Sequence, residues 1–111
     1  MRLNKAKGLL IAVAVCWPLV ALSDAFWSGN DLYERCDTDN GQAKLVCTAY
    51  IIGATDALTS NGIVCLPKNF TIRQTVDLVV KFLSDHPETR HYTAFSEVAV
   101  AMKNFLCKNS N

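Results

Sequence analysis

The sequence lacks the short patterns that mark common catalytic machinery. It has no G-x-S-x-G elbow, no H-E-x-x-H pair and no glycine-rich phosphate loop. No two cysteines stand in the C-x2-C spacing of a structural zinc site. His86 and His91 are five apart and flank Pro87, so they do not form the i, i+4 pair of a helical metal site. Charge of one sign is lacking too. Eleven Lys and Arg stand against ten Asp and Glu, which leaves no electrostatic footprint for nucleic acid or an anionic membrane. No segment alternates apolar and polar residues over the length of a strand, which argues against a sheet. Only one long apolar run exists, and it lies at the beginning.

That run, GLLIAVAVCWPLVAL, follows Arg2, Lys5 and Lys7. A positive start and an apolar stretch too short for a comfortable membrane span read as a signal peptide. Cleavage is expected after Ala25, with Ser23 as the alternative site. An uncleaved anchor is the competing reading. Val15 before Cys16 argues against a lipoprotein. The cut takes away Arg2, Lys5, Lys7 and Asp24, so the formal net charge of +1 becomes −1. The remaining domain, Phe26 to Asn111, is expected to have no further membrane segment and no cofactor.

Cys36, Cys47, Cys65 and Cys107 remain after cleavage. An even number in an exported chain reads as two disulfides. A domain of this size buries a modest core, so covalent staples are expected.

Four helical segments follow, and the fold class is all-α, a small disulfide-stapled bundle of about four helices. Ser28-Gly29-Asn30 supplies cap chemistry for DLYERC, which ends at Cys36. The DTDNG turn leads into a long helix from Gln42 to Ser60, stopped by Asn61-Gly62. Cys65 and Pro67 stiffen the next loop. Thr71-x2-Gln74 is a capping box that opens a third helix, which His86-Pro87 ends. A fourth helix is expected over Glu88 to Leu106, with Ala94, Phe95, Val98, Ala101, Met102, Phe105 and Leu106 as its apolar stripe.

The second helix is the unusual one. At 100° per residue, Val46, Cys47, Tyr50, Ile51, Ala54, Ala57 and Leu58 share one broad side. Leu45, Ala49 and Ile52 lie nearly opposite, with Asp56 among them. A helix apolar on two sides is central in its bundle or covered by a second subunit. Gly53 then reads as a point of close approach. Asp56 reads as a structural carboxylate held by a helix N-terminus, a hydroxyl or a basic side chain.

The helix order suggests a disulfide pairing. The first two helices form a hairpin around a five-residue turn, which brings Cys36 to Cys47. The fourth helix returns towards the loop that holds Cys65, which brings it to Cys107. With every cysteine of the exported domain engaged, no thiol nucleophile is left. A binding protein is favoured over an enzyme.

Taken in order, these residues resemble a family. Gly29-Asn30-x-Leu32-x3-Cys36 leads into Cys47-x2-Tyr50-Ile51-x-Gly53-x2-Asp56. Cys65-x-Pro67, Thr71-x2-Gln74, Leu83-x2-His86-Pro87-Glu88 and Phe105-Leu106-Cys107 follow. The ordered set is similar to the Rap/Tai family of immunity proteins. It departs at Leu106, where the family pattern has proline. The resemblance implies a periplasmic, often dimeric protein. Its partner would be a Cys-His peptidoglycan amidase effector delivered by type VI secretion, with the active-site groove occluded.

In such a protein a protruding loop enters the groove. The polar segment SDHPETRHY links two long helices and supplies the candidates Ser84, Asp85, His86, Glu88, Thr89, Arg90, His91 and Tyr92. The loop Asn61 to Phe70 is the runner-up. Two other classes stay open: a small periplasmic helical stress chaperone, and a secreted enzyme with an unrecognised site.

Overall fold

Ser28 opens the first helix with a reciprocal cap. Its hydroxyl accepts from the Asp31 backbone N–H, and the Asp31 carboxylate accepts from the Ser28 backbone N–H at 2.9 Å. The computed structural model describes residues 26–108; the expected signal peptide lies outside them. Four α-helices follow: α1 (Gly29–Cys36), α2 (Gly41–Ser60), α3 (Ile72–Asp85) and α4 (Ala94–Ala101). Short 3-10 turns occupy Pro87–Thr89 and Lys103–Phe105. Among the described residues there is no strand, only isolated bridges at Ser28–Thr93 and Val64–Leu106. No described helix is long and apolar enough to cross a membrane.

Local chemistry accounts for most helix ends. The Asn40 side chain accepts from the N–H groups of Gln42 and Ala43 at the start of α2. At its far end Gly62 turns the chain with φ 71°, a conformation that favours glycine. Thr71 and Gln74 form the capping box of α3.

The helices pack around one core. Leu32, Ile51, Leu58, Val79, Leu83, Val98 and Met102 are almost wholly buried there. Full burial of such a side chain contributes about 1.5–3 kcal/mol. Disulfides join Cys36 to Cys47 and Cys65 to Cys107, the pairing that the helix order implies. The first ties the α1–α2 hairpin. The second ties the α2–α3 loop to the chain end.

The fourth helix is shorter than the sequence pattern suggests. Instead of Glu88 to Leu106 it covers Ala94–Ala101. The residues before it are drawn to α1. The carbonyls of Arg90 and Tyr92 accept from Asn30 and Gly29 N–H, both at 2.8 Å, and Ala94 N–H donates to the Trp27 carbonyl. These partners replace the helical i→i−4 bonds. At the other end, Cys65 N–H donates to the Phe105 carbonyl and Cys107 N–H to the Ile63 carbonyl. The chain leaves the helix to pair with that loop. Leu106 there has φ −61° and ψ 139°, angles that proline also adopts.

The faces of α2 also differ from the expectation. Cys47, Ile51, Ala54, Thr55 and Leu58 are buried, while Val46 and Ala57 are exposed with Leu45 and Ala49. Thr55 is accommodated because its hydroxyl donates to the Ile51 carbonyl at 2.7 Å. Gly53 is exposed, and a Cβ built on it meets nothing within 4 Å. It is therefore not a close-approach point inside this chain. Asp56 is exposed as well, and no described residue donates to its carboxylate or forms an ion pair with it. Within this chain, then, no helix packs directly on Gly53, and the Asp56 carboxylate is left to solvent.

Candidate partner-binding surface

The segment 84–92 joins the end of α3 to the start of α4, and its backbone is held. His86 caps α3 and turns back on it. Its imidazole stacks on Phe82 at 4.2 Å, and Nδ1–H donates to the Phe82 carbonyl at 2.9 Å. Thr89 lies over the Glu97 carboxylate and donates to Oε2 at 2.9 Å. The Arg90 guanidinium lies 4.1 Å from the Tyr33 ring centre, a cation–π contact. The 2.8 Å bonds from Gly29 and Asn30 complete the attachment.

Those anchors divide the sequence candidates in two. His86, Thr89 and Arg90 are half-buried and hold the segment in place. Ser84, Asp85, Glu88, His91 and Tyr92 are exposed. Tyr92 keeps 56% of its surface open, with the His91 ring 4.2 Å from its own. Asp85 pairs with Lys81 at 2.7 Å, and the ammonium hydrogen bond holds its carboxyl below the usual carboxylate range. The two histidines are not brought together. One serves α3 and the other stands beside Tyr92. Among the described residues no cluster of His, Cys, Asp and Glu is arranged to hold a metal.

Two residues essential to this geometry are Gly29 and Glu97. A Cβ on Gly29 would lie 2.9 Å from Glu97 Cγ and 3.0 Å from the Arg90 backbone. Only glycine lets α1 come this close. Glu97 is 2% exposed, which is rare for a carboxylate without an ion pair. Nothing in Ser96-Glu97-Val98 signals its burial, because the wall over it belongs to a segment from another part of the fold. For Gly29 the signal was the S-G-N-D cap itself, read there only as a helix start.

The other sequence candidates fall elsewhere. Tyr50 stacks on Trp27 at 5.1 Å, and the Arg35 guanidinium lies 4.0 Å over the same indole. Burial pushes the Tyr50 hydroxyl pKa up. Pro67 is exposed in the α2–α3 loop, where its carbonyl accepts from Phe70 N–H at 3.0 Å. Beside Tyr50, the residues Ala49, Gly53 and Ala57 of α2 and Phe95 of α4 line a shallow groove. Leu45 and Val46 extend its apolar side, 68% and 43% exposed.

The surface offers exposed polar side chains on a backbone held by α1, and a shallow apolar groove. No curated protein and no solved structure matches the chain significantly. The family model of the Rap1a immunity proteins does, over residues 28–107, from the α1 cap to the last cysteine. The chain therefore belongs to the Rap1a immunity protein family.

Proposed function

We propose that this protein is exported by residues 1–25, loses them, and works in the periplasm as the domain Phe26 to Asn111. There it binds a Cys-His peptidoglycan amidase delivered by type VI secretion and occludes its active-site groove. It acts by binding, with no cofactor and no reaction of its own. The observation that carries this reading is the family match across nearly the whole exported domain.

The Ser84–Tyr92 segment supports the mode of inhibition. A segment already held by α1 and α4 loses little freedom on meeting a partner surface, which lowers the cost of association. In this reading Ser84, Asp85, Glu88, His91 and Tyr92 meet the toxin, and His86, Thr89 and Arg90 keep them in position. Tyr92 is the central contact, because tyrosine gives large contact area at low entropic cost.

The open side of α2 supports a homodimer. Ala49, Gly53 and Ala57 allow two helices to approach, and Leu45, Val46 and Phe95 supply apolar area beside them. A closed two-fold pair is the commonest way to cover such a face.

The test is protection and inhibition together. The intact gene, expressed beside the amidase toxin of a neighbouring reading frame, should rescue cells that receive that toxin in the periplasm. The purified protein should block its hydrolysis of peptidoglycan. Tyr92→Ala and His91→Ala should weaken inhibition while melting like wild type. Failure of the wild-type protein to bind or protect would overturn the reading.

A further inference from the structure

The two disulfides stand in different surroundings. Cys36 and Cys47 belong to the core and are 9% and 3% exposed. The pocket beside them, which Lys44 and Asp77 also line, leaves them that closed. Cys65 is exposed, Cys107 is half-buried, and neither belongs to the core. An incoming thiol can therefore reach the second bond in the folded protein, whereas the first needs a local opening.

Charge separates the two bonds as well. The stretches that carry the outer bond, Asn61 to Ile72 and Met102 to Lys108, hold Lys68, Lys103 and Lys108 and no carboxylate. Positive charge draws an attacking thiolate and stabilises the thiolate that leaves. Cys36 stands between Arg35 and Asp37, a setting of mixed sign. Opening the outer bond also leaves its ends side by side. Cys65 N–H donates to the Phe105 carbonyl at 2.8 Å and Cys107 N–H to the Ile63 carbonyl at 3.0 Å, across the same two stretches. The Phe70 and Phe105 rings meet there at 5.1 Å. These contacts keep the two cysteines together, so the bond can close again.

We propose that Cys65–Cys107 is a thiol-exchange site, opened by a dithiol reductant while Cys36–Cys47 stays closed. The thiolate of the reductant attacks Sγ of Cys65, the more exposed cysteine. A mixed disulfide forms there, the Cys65–Cys107 bond breaks, and Cys107 Sγ leaves with the electron pair and takes a proton from water. The second thiol of the reductant gives up its proton and attacks its partner sulfur in the mixed disulfide. Cys65 is released and protonated in turn. The reductant ends as a disulfide, oxidised by the electron pair that the protein bond gained. The Ser84–Tyr92 segment lies at the other end of α3, and its bonds to α1 and α4 do not pass through this site. The proposal does not depend on the toxin reading.

The experiment treats the folded, oxidised protein with dithiothreitol, blocks free thiols with iodoacetamide at intervals and maps the label by peptide mass. Cys65 and Cys107 should be labelled together, at least about tenfold faster than Cys36 and Cys47, whose exposure needs an opening of the core. The protein in this partly reduced state should keep its helical circular dichroism. The bond should re-form when glutathione disulfide replaces the dithiothreitol. With glutathione, a monothiol, the mixed disulfide should map to Cys65. Labelling of all four cysteines at one rate, earlier opening of Cys36–Cys47, loss of the helical signal with the outer bond, or a mixed disulfide on Cys107 alone would overturn the proposal.

Discussion

Helix α2 has two apolar sides with opposite fates. Cys47, Ile51, Ala54 and Leu58 are buried against the other three helices. Leu45, Ala49, Gly53 and Ala57, half a turn away, face outward. Neither side carries a charge, so a polar/apolar pattern alone does not separate them. What differs is side-chain size and what stands opposite. The inner side is tied at one end by the Cys36–Cys47 bond and meets α1, α3 and α4. The outer side is built around small residues and meets only the edge of α4 at Phe95, across a shallow groove. Residues chosen for a core and residues chosen for a neighbour look alike along one helix.

The contrast is broken most strongly from the inside. Ile51→Ala should cost about 2–5 kcal/mol, as transfer and cavity terms add. Leu45→Ala should stay within about 0.5 kcal/mol for the monomer. Urea unfolding of the two variants measures the difference, and equal losses would mean that the outer side is also covered. Removal of the Cys65–Cys107 bond by Cys107→Ser should cost a similar 2–5 kcal/mol, read from the same curves.

The two glycines sharpen the comparison at smaller magnitude. Gly29→Ala pushes a methyl against Glu97 and the Arg90 backbone, and overpacking of this kind costs about 1–3 kcal/mol. Gly53→Ala meets open space and should raise monomer stability by about 0.5–1 kcal/mol through helix propensity. Thermal melting at low concentration decides the signs. Gly53→Leu should melt as well as wild type at that concentration. By light scattering at tens of micromolar it should lose any dimer built on the outer side. Thr89→Val tests the segment that Gly29 supports. The buried Glu97 loses its hydroxyl donor, at about 1–3 kcal/mol.

The smallest effect is one of pH. The Ser28 backbone N–H, then its hydroxyl, and Arg35 hold the Asp31 carboxyl below its ordinary value of 3.8. A carboxylate whose folded pKa is lowered adds stability above the unfolded pKa and loses it as pH falls through the folded one. The cap contribution should therefore be complete above pH 3.8 and fade below it. Asp31→Asn should flatten this part of the curve of stability against pH. An unchanged curve would mean that the cap does not depend on the charge.

Much of the fold was legible because its causes are local. The caps at Ser28 and Thr71, the stop at Asn61-Gly62 and the end of α3 before His86-Pro87 each rest on residues within a turn of one another. The disulfide pairing followed from helix order alone. The candidate segment was legible as a polar link between helices. Its division into anchors and contacts was not, because Gly29, Tyr33 and Glu97 act on it from distant positions in the chain.

By itself, then, the sequence determined the helical class, the openings of α1 and α3, the two covalent staples and the family, since all of these rest on short-range pattern and ordered spacing. Tertiary structure alone decided three other things. It shortened α4, because Arg90, Tyr92, Phe105 and Cys107 give their backbone groups to α1 and the Cys65 loop instead of a helix. It buried Glu97 beneath Thr89. It also chose the side of α2 that stays open. In each case the deciding partner lies far away in sequence, and a periodicity read along one helix holds no information about what packs against it.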